Sequence, residues 1–470
     1  MTDVITRPLW APVAWVGEGS AQRWARDVLL EIDTNGCWSN VTSDVGVDDA
    51  RRQQGEILND PLLPGVINAH SHAFQRAFAG LAERRDSVHD DFWSWRDRMY
   101  RVALSVSPDA LRAIATQLYR EMLAGGYTHV CEFHYLHHDP DGNQYEDPLL
   151  MAWTLADAAE AAGIGLTLLP VLYERAGFAS PVLRTDQRRF ATSAAWVLNA
   201  QQRIAECANS SLVNTGVGIH SLRAAKPESI RELVNRASGP IHIHVAEQTA
   251  EVDDCVKETG KRPVEWLLQN HALDRCWQLV HATHVTQEEI DGVARSGACA
   301  VICPTTEANL GDGLTDVAAW LDAGTALAIG SDSHVTRDWR EELRLLEYGQ
   351  RLQHRARNIA ASPATRHSAT AERLFGRVVS GSAAAAGHTR WGLTVGARAD
   401  ALVVDMSQPA LLGVPVSRTL DAMIFSSPSV PFADVMVAGR WVIGDGSHAA
   451  TRKIAAAFAD AMHGLWADVL

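Results

Sequence analysis

Two histidines separated by one residue, His70 and His72, follow a short apolar run, and three more potential metal ligands follow other apolar runs. These three are His244, His281 and Asp332. In a strand, residues i and i+2 point to the same face, so His70 and His72 project in one direction. Imidazole nitrogens combined with one carboxylate form the ligand set of a catalytic zinc or of a similar metal. If the fold brings these five residues together, they predict a catalytic metal site.

A His-x-His pair is weak evidence by itself. The chain has 19 histidines in 470 residues, so about one such pair is expected by chance. The position of the candidate ligands carries more weight than this pattern. His70, His72, His244 and His281 all come at or just after the end of an apolar run.

Other histidines near these runs are not expected to bind the metal directly. We expect His242 to be structural and either to lie deeper in the barrel than His244 or to point away from it. His284 and His334 are candidates for contacts just behind the ligands. Three others occur in a polar stretch that favours a solvated loop over a pocket lining. These are His134, His137 and His138.

Apolar runs and amphipathic stretches alternate along the middle of the chain. The eight runs are 65–68, 128–133, 165–171, 216–219, 241–245, 278–280, 299–302 and 326–329. Helix-like segments lie between them, including 186–208 and one that begins with an N-capping Ser107 before Pro108. Eight strand–helix units in about 330 residues predict an α/β fold, a closed (β/α)8 TIM barrel. In such a barrel, catalytic side chains lie at the C-terminal ends of the strands.

The two ends of the chain have a different, β-like pattern. Residues 1–60 are rich in tryptophan and turns, and short β-like runs return at 401–404 and 435–443. We predict one small β-sandwich domain built from 1–60 and 395–470, beside a catalytic barrel over 61–394.

The composition excludes several classes of protein. A hydrophobic content of 47% and a charged content of 21% exclude a disordered chain. The net charge of −14 argues against nucleic-acid and anionic-membrane partners. The sequence has seven cysteines with no C-x-x-C pair, no signal-like N-terminus and no apolar run of membrane-spanning length. These features predict a soluble, cytoplasmic protein.

The basic residues are strongly biased towards arginine. Only four of the 42 basic residues are lysines, at 226, 257, 261 and 453. A GC-rich genome would explain most of this bias. Arginine also binds carboxylates through planar two-point contacts, so some arginines could hold an anionic ligand.

Four motifs together resemble the amidohydrolase superfamily. They are NAHSHAFQRAFAG at 68–80, HIHVAEQ at 242–248, VHATH at 280–284 and IGSDSH at 329–334. The resemblance covers essentially the whole chain, including GLTVGARADALVVD at 392–405, and is closest to the deaminase branch and its formimidoylglutamate deiminases. This finer resemblance rests on fewer motifs, which are Gln75 after His72, DDFWSWRDRMYR at 90–101, FHY at 133–135 and HSLR at 220–223.

The resemblance implies one divalent metal ion, zinc or alternatively iron(II), and a set of residue roles. The implied metal ligands are His70, His72, His244 and Asp332. Catalysis is assigned to Glu247, His281 and Asp332, and substrate binding to Gln75, Arg96, Tyr135, His220 and Arg223. No predicted strand carries a lysine that could bridge two metals as a carbamate, which supports a single metal, although bridging carboxylates remain an alternative.

The implied reaction is hydrolysis of N-formimidoyl-L-glutamate to N-formyl-L-glutamate and ammonia, a step of histidine degradation. Such a substrate carries two carboxylates, which Arg96 and Arg223 would bind. Other arginines are equally charged and remain alternatives, namely Arg84, Arg85, Arg98 and Arg101. The family resemblance also implies a homodimer.

Two other functions remain open. An aromatic deaminase acting on guanine, cytosine or an adenosine derivative could stack its substrate on Trp93 or Trp95. A non-catalytic barrel scaffold would keep the fold and lose the metal. The intact set of candidate ligands argues against the scaffold.

Overall fold

The structure is a computed structural model that describes residues 4–85, 90–208, 211–365, 367–444, 446, 448 and 450–467. Its strands are β1 (Leu9–Val16), β2 (Arg23–Ile32), β3 (Trp38–Thr42), β4 (Glu56–Ile57), β5 (Leu62–Pro64), β6 (Val66–Ser71), β7 (Tyr127–His134), β8 (Gly165–Leu172), β9 (Val213–Thr215), β10 (Val217–Ser221), β11 (Ile241–Val245), β12 (Trp277–His281), β13 (Cys299–Ile302), β14 (Ala326–Ile329), β15 (Ala401–Val404), β16 (Phe432–Val437) and β17 (Arg440–Ile443).

The helices alternate with these strands over the middle of the chain. They are α1 (Ala50–Gln54), α2 (Phe92–Ser105), α3 (Pro108–Ala124), α4 (Leu150–Ala162), α5 (Ala194–Cys207), α6 (Pro227–Arg236), α7 (Thr249–Thr259), α8 (Pro263–Asn270), α9 (Gln287–Ser296), α10 (Pro304–Leu310), α11 (Val317–Asp322), α12 (Trp339–His354), α13 (Thr370–Ala385), α14 (Thr419–Phe425) and α15 (Thr451–Ala467). Two 3₁₀ helices used below span Ala73–Ala77 and Thr185–Phe190.

Eight parallel strands form the barrel, in the order β6, β7, β8, β10, β11, β12, β13 and β14. A parallel bridge between Ser71 and Asp332 joins the two end strands and closes it. Each of the eight apolar runs coincides with one of these strands, so the predicted (β/α)8 barrel is confirmed.

Local sequence explains where the barrel helices begin and where two elements come close together. Ser107 caps α3, its Oγ accepting the Ala110 amide at 3.1 Å, and Pro108 takes the first helical position. Gly330 follows β14 where a Cβ would lie 2.7 Å from the Cβ of His70. Only glycine therefore allows β14 to reach β6 at this point.

The prediction of one continuous helix over 186–208 is wrong, because the structure has two separate helices there. The segment is a 3₁₀ helix, Thr185–Phe190, followed by α5. Thr192 interrupts it, because its hydroxyl accepts the Tyr173 amide at 2.8 Å and donates to the Val171 carbonyl at 2.8 Å. Ser193 then caps a new helix through the Trp196 amide.

A second sheet is made from both ends of the chain, in the order β17, β16, β15, β5, β1, β2, β3, with β4 on β1. This separate sheet fits the predicted small β-sandwich domain. It includes β5, just past residue 60, while α15 packs against the barrel helix α3. The division at residues 60 and 395 stays a prediction. Among the described residues, no helix has the length and apolar character needed to cross a bilayer.

Candidate active site

Four candidate ligands meet at the C-terminal end of the barrel. His70 lies in β6 and His244 in β11, while His72 and Asp332 come just after β6 and β14. The Nε2 atom of His70 lies 3.1 Å from that of His72 and 2.9 Å from that of His244. Asp332 Oδ1 is 3.2 Å from His72 Nε2, and one ligand atom of each of the four residues lies within 4.8 Å of the others. The structure therefore brings three imidazoles and one carboxylate to one point.

Contacts on the outer side of the rings fit a metal at this point. His72 Nδ1 is 3.0 Å from the Phe133 carbonyl and His244 Nδ1 is 2.9 Å from the His220 carbonyl. Because an imidazole that donates from Nδ1 keeps a lone pair on Nε2, both rings present an acceptor to the cluster. Burial lowers the pKa of His70 to about 3, so this ring is neutral as well. Converging lone pairs without protons between them fit a single divalent cation.

Strained backbone surrounds the cluster. His281, Ala282 and Asp332 have φ values of 69°, 46° and 44°. Left-handed conformations at residues other than glycine cost about 1–3 kcal/mol each and occur where the surrounding structure holds them. Here the Asp332 amide donates to the His70 carbonyl at 3.0 Å, and the Ala282 amide donates to the Val245 carbonyl at 3.0 Å. These turns place the acid–base candidates next to the ligands.

His281 and Glu247 form a close pair beside the ligand cluster. His281 Nε2 is 3.6 Å from Glu247 Oε1 and 3.9 Å from Asp332 Oδ2. Burial raises the pKa of Glu247 to about 7. Burial opposes the charge of His281, but Glu247 and other nearby carboxylates outweigh it and raise the pKa of His281 to about 10. The pair can therefore hold and exchange a proton next to the cluster.

Two buried carboxylates that the sequence analysis did not assign support this arrangement. Glu132 accepts the Ser71 hydroxyl at 2.7 Å and the Ala73 amide at 2.6 Å, which holds the turn that carries His72. Glu307, in α10, lies behind His281. Its sequence signal is an acidic residue in the first turn of a helix that follows the seventh strand.

A cavity opens beside the cluster, and all five candidate substrate-binding residues line it. These are Gln75, Arg96, Tyr135, His220 and Arg223. The helix α2 covers one side of the cavity, with Phe92, Trp95 and Arg96 among the lining residues. The structure thus brings these five residues together, and their roles in binding remain predictions.

Two arginines in this cavity lie near the same indole. The guanidinium carbons of Arg96 and Arg223 are 4.6 and 5.4 Å from the centre of the Trp93 ring. Arg96 Nε is buried without a hydrogen-bond partner, although Arg96 Nη2 donates to Asp97 Oδ1 at 3.4 Å. Among the described residues, Arg223 has no ion pair within 4.0 Å, and the nearby carboxylate of Glu251 raises its pKa despite burial. Largely buried guanidinium groups with N–H donors that lack partners favour an anionic ligand.

The four alternative arginines lie elsewhere. Arg98 donates to the carbonyl oxygens of Ala82 and Arg84 at 3.2 and 2.9 Å. Arg84, Arg85 and Arg101 are exposed, and none of the four lines the cavity.

The expectation of a solvated loop for three histidines is wrong, because they are buried. These are His134, His137 and His138. The 3₁₀ segment Thr185–Phe190 packs over them, and the Arg189 carbonyl accepts the amides of both His137 and His138 at 3.1 Å. The His137 ring lies 4.5 Å from the ring of Trp196.

The other histidines make defined contacts. His242 Nε2 donates to the Ala385 carbonyl at the end of α13 at 2.9 Å, as expected for a structural residue. His334 is 3.0 Å from both the Ser331 hydroxyl and the His72 carbonyl, directly behind the ligands. His284 Nε2 is 2.8 Å from the Asp312 carbonyl.

Known proteins of similar sequence and structure share this architecture. A profile of the amidohydrolase family matches residues 62–442. A formimidoylglutamate deiminase of Pseudomonas aeruginosa is 45% identical over 439 residues, covering 93% of this chain and 95% of that protein.

Two solved structures are similar over nearly their full length. An amidohydrolase from Brucella melitensis has a TM-score of 0.89 and 39% identity, with 98% of this chain and 100% of that chain covered. An adenosine deaminase from Xanthomonas campestris with bound zinc has a TM-score of 0.78 and 20% identity, with 99% of each chain covered, and shows the shared fold. The chain belongs to the amidohydrolase family.

Proposed function

We propose that this protein hydrolyses the amidine of N-formimidoyl-L-glutamate to N-formyl-L-glutamate and ammonia. The observation that carries the proposal is the pair of guanidinium groups, Arg96 and Arg223, in the cavity that also contains the His–His–His–Asp cluster. A substrate with an electrophilic C=N carbon at one end and two carboxylates at the other matches both features. The 45% identity to a formimidoylglutamate deiminase supports the same substrate.

We propose zinc as the metal, with iron(II) as the alternative. His70, His72, His244 and Asp332 would hold it, because three imidazoles and one carboxylate suit zinc or iron(II) better than calcium or magnesium. When bound, such an ion lowers the pKa of a coordinated water from 15.7 to about 7 and so supplies a nucleophile at neutral pH.

The protein's own residues handle the protons. Asp332 and His281 take the proton of the attacking water, since His281 Nε2 lies 3.9 Å from Asp332 Oδ2 and can pass the proton it already holds to Glu247 Oε1, 3.6 Å away. Attack of the water oxygen on the C=N carbon of the protonated amidine gives a tetrahedral carbon that carries a hydroxyl and an NH₂ group. Glu247 donates a proton to this nitrogen, the C–N bond breaks and ammonia leaves. The hydroxyl then returns a proton to Glu247 as its oxygen becomes the formyl carbonyl. The raised pKa of Glu247, about 7, suits a residue that must donate a proton at neutral pH.

Polar groups of the cavity orient the substrate between these two ends. Gln75 Nε2 donates to the Tyr135 hydroxyl at 3.0 Å. The Gln75 oxygen and the Tyr135 hydroxyl proton remain available to bind the substrate. Burial lowers the pKa of His220 well below its usual value, so this ring is a neutral hydrogen-bonding group. Arg96 and Arg223 bind the carboxylates.

The two guanidinium groups of the cavity favour a charged substrate over a flat neutral base. Trp93 faces two guanidinium groups and Trp95 packs on Phe78 at 5.9 Å, so both indoles already have partners. An aromatic deaminase remains the outcome that a substrate panel would reveal. A non-catalytic scaffold would bind neither metal nor substrate.

We further propose a cytoplasmic homodimer that acts in histidine degradation and binds neither nucleic acid nor membrane. The net charge of −14 and the seven unpaired cysteines support this proposal. Light scattering coupled to size exclusion would show a mass near twice 51.1 kDa for a dimer.

Product identification tests the reaction itself. The zinc-loaded protein is incubated with N-formimidoyl-L-glutamate, and the products are followed by proton NMR. The proposal requires a formyl proton signal that grows in step with ammonia. Formation of free glutamate and formamide instead would contradict the assignment of the bond that breaks.

A further inference from the structure

His281 is held from behind by a carboxylate. Glu307 Oε1 lies 3.3 Å from His281 Nδ1, and the same oxygen accepts the Cys303 amide at 2.9 Å. Glu307 is buried in the first turn of α10, and its own amide donates to the Cys303 carbonyl at 2.9 Å. A carboxylate fixed at both its backbone and its side chain is a rigid acceptor.

The contact of Glu307 with Nδ1 determines how the other ring nitrogen of His281, Nε2, is oriented. A carboxylate on Nδ1 keeps a proton on that nitrogen whether the ring is charged or neutral, and it turns Nε2, the atom that gains and loses the second proton, towards Glu247 and Asp332. It also stabilises the imidazolium that forms when Nε2 takes a proton. Without Glu307, the ring could change tautomer or rotate about χ2 and lose its alignment.

The backbone of His281 is itself strained. Its φ of 69° places it in the left-handed region at the end of β12, where the chain turns sharply. Since non-glycine residues occupy this region only when surrounding contacts hold them, the contact with Glu307 acts on a residue already under strain.

We infer that Glu307 is a positioning residue that orients His281 and sets its tautomer for proton transfer. The inference rests on the proposed function for its kinetic readout only. The tautomer of His281 is a property of the protein and can be measured without substrate.

A second interpretation of the same residues is a metal site, since His281, Cys303 and Glu307 bring potential ligand atoms within 4.8 Å of one another. Burial raises the pKa of the Cys303 thiol well above its usual value, which disfavours the thiolate that a metal needs. We therefore favour the positioning role, and metal stoichiometry distinguishes the two.

The test compares Glu307→Gln and Glu307→Ala with a matched control, Glu342→Gln. Glu342 is also buried and also holds α10, accepting the Thr305 amide at 2.9 Å and the Thr305 hydroxyl at 2.7 Å, but it has no contact with His281 within the described structure. We expect Glu307→Ala to lower kcat about 10- to 100-fold with KM changed less than about twofold. Glu307→Gln, which keeps an acceptor oxygen, should recover part of this loss, and Glu342→Gln should keep kcat within about twofold.

Nitrogen-15 NMR of the zinc-loaded protein supplies the second readout, with His281 assigned by comparison with His281→Asn. In the parent protein the Nδ1 atom of His281 should be protonated, and in Glu307→Ala this preference should be lost. All variants should bind one equivalent of zinc. Thermal unfolding shows which variants are folded, and Glu307→Gln decides alone if Glu307→Ala does not fold.

Three results would overturn the inference. They are an unchanged kcat and His281 tautomer in a folded Glu307 variant, an equal loss of kcat in Glu342→Gln, and a second zinc equivalent that disappears in Glu307→Gln. If the parent protein releases no ammonia from N-formimidoyl-L-glutamate, the proposed function fails, and the NMR comparison still decides the role of Glu307.

Discussion

Asp332 and His70 are joined twice, once through the backbone and once through their side chains. The Asp332 amide donates to the His70 carbonyl at 3.0 Å, and Asp332 Oδ1 lies 3.5 Å from His70 Nε2. The first contact helps to close the barrel and the second belongs to the ligand cluster. The geometry of the metal site is therefore coupled to barrel closure, since β14 cannot separate from β6 without moving two ligands apart.

Asn68 reinforces this closure and offers a way to test the coupling. Its amide donates to the Ser331 hydroxyl at 2.7 Å, and its oxygen accepts the Ser331 amide at 3.0 Å. We expect Asn68→Ala to lower the free energy of unfolding by about 1–3 kcal/mol, because it leaves buried polar groups without partners. Zinc affinity, measured by competition with a chelator, should fall as well.

Asn214→Ala is the control for this change. Asn214 donates to the Ala386 carbonyl at 2.8 Å, away from the ligand cluster. It should lower stability without changing zinc affinity. Equal zinc affinities in Asn68→Ala and the parent protein would contradict the coupling.

Metal removal should lower both activity and stability. Dialysis against a chelator is expected to abolish ammonia release and to lower Tm, since a ligand present at 1,000 times its Kd stabilises the folded state by about 4.1 kcal/mol. Zinc should restore both properties. Calcium should restore neither, because the cluster offers nitrogen donors. Full activity in a protein shown by elemental analysis to be free of metal would refute the assignment.

Arg223→Met should weaken substrate binding without disturbing the fold. Hydrogen bonds to a charged group contribute about 1.5–3 kcal/mol, so KM should rise about 10- to 100-fold. Arg101→Met is the matched control, because Arg101 is exposed on the same helix as Arg96 and does not line the cavity. An Arg223→Met protein with the parent KM would remove this residue from the carboxylate site.

Glu247→Gln should affect the chemical step and leave the metal in place. Loss of a positioned proton donor lowers kcat by about 10²- to 10⁴-fold. Glu247 is not part of the four-ligand cluster, so zinc content should equal that of the parent protein. Steady-state kinetics and elemental analysis on the same preparation check both expectations. A variant that loses zinc as well as activity would instead make Glu247 a ligand.

The barrel and the ligand positions could be predicted from the sequence because both depend on local pattern. Short apolar runs mark parallel strands, and the residues that follow them converge at one end of a barrel. His70, His72, His244 and Asp332 needed only this rule to be placed together.

Other features depend on contacts between distant segments and escaped prediction for that reason. His137 is buried because residues 185–190 and Trp196 pack over it, which no feature of its own polar stretch indicates. Glu307 reaches His281 because α10 begins immediately after β13 and turns back towards β12. Trp93 lies beside both Arg96 and Arg223 only because α2 covers the cavity.

The four ligands of one metal ion and the two arginines of the same cavity are proposed to select a dianionic amidine together. The most direct measurement is kcat/KM for ammonia release by the zinc-loaded protein, with N-formimidoyl-L-glutamate, guanine, cytosine and adenosine compared in one assay. A cavity built to bind charged groups should prefer N-formimidoyl-L-glutamate by about 10⁴-fold or more. Turnover of a nucleobase or nucleoside, with none of the amidine, would contradict the claim.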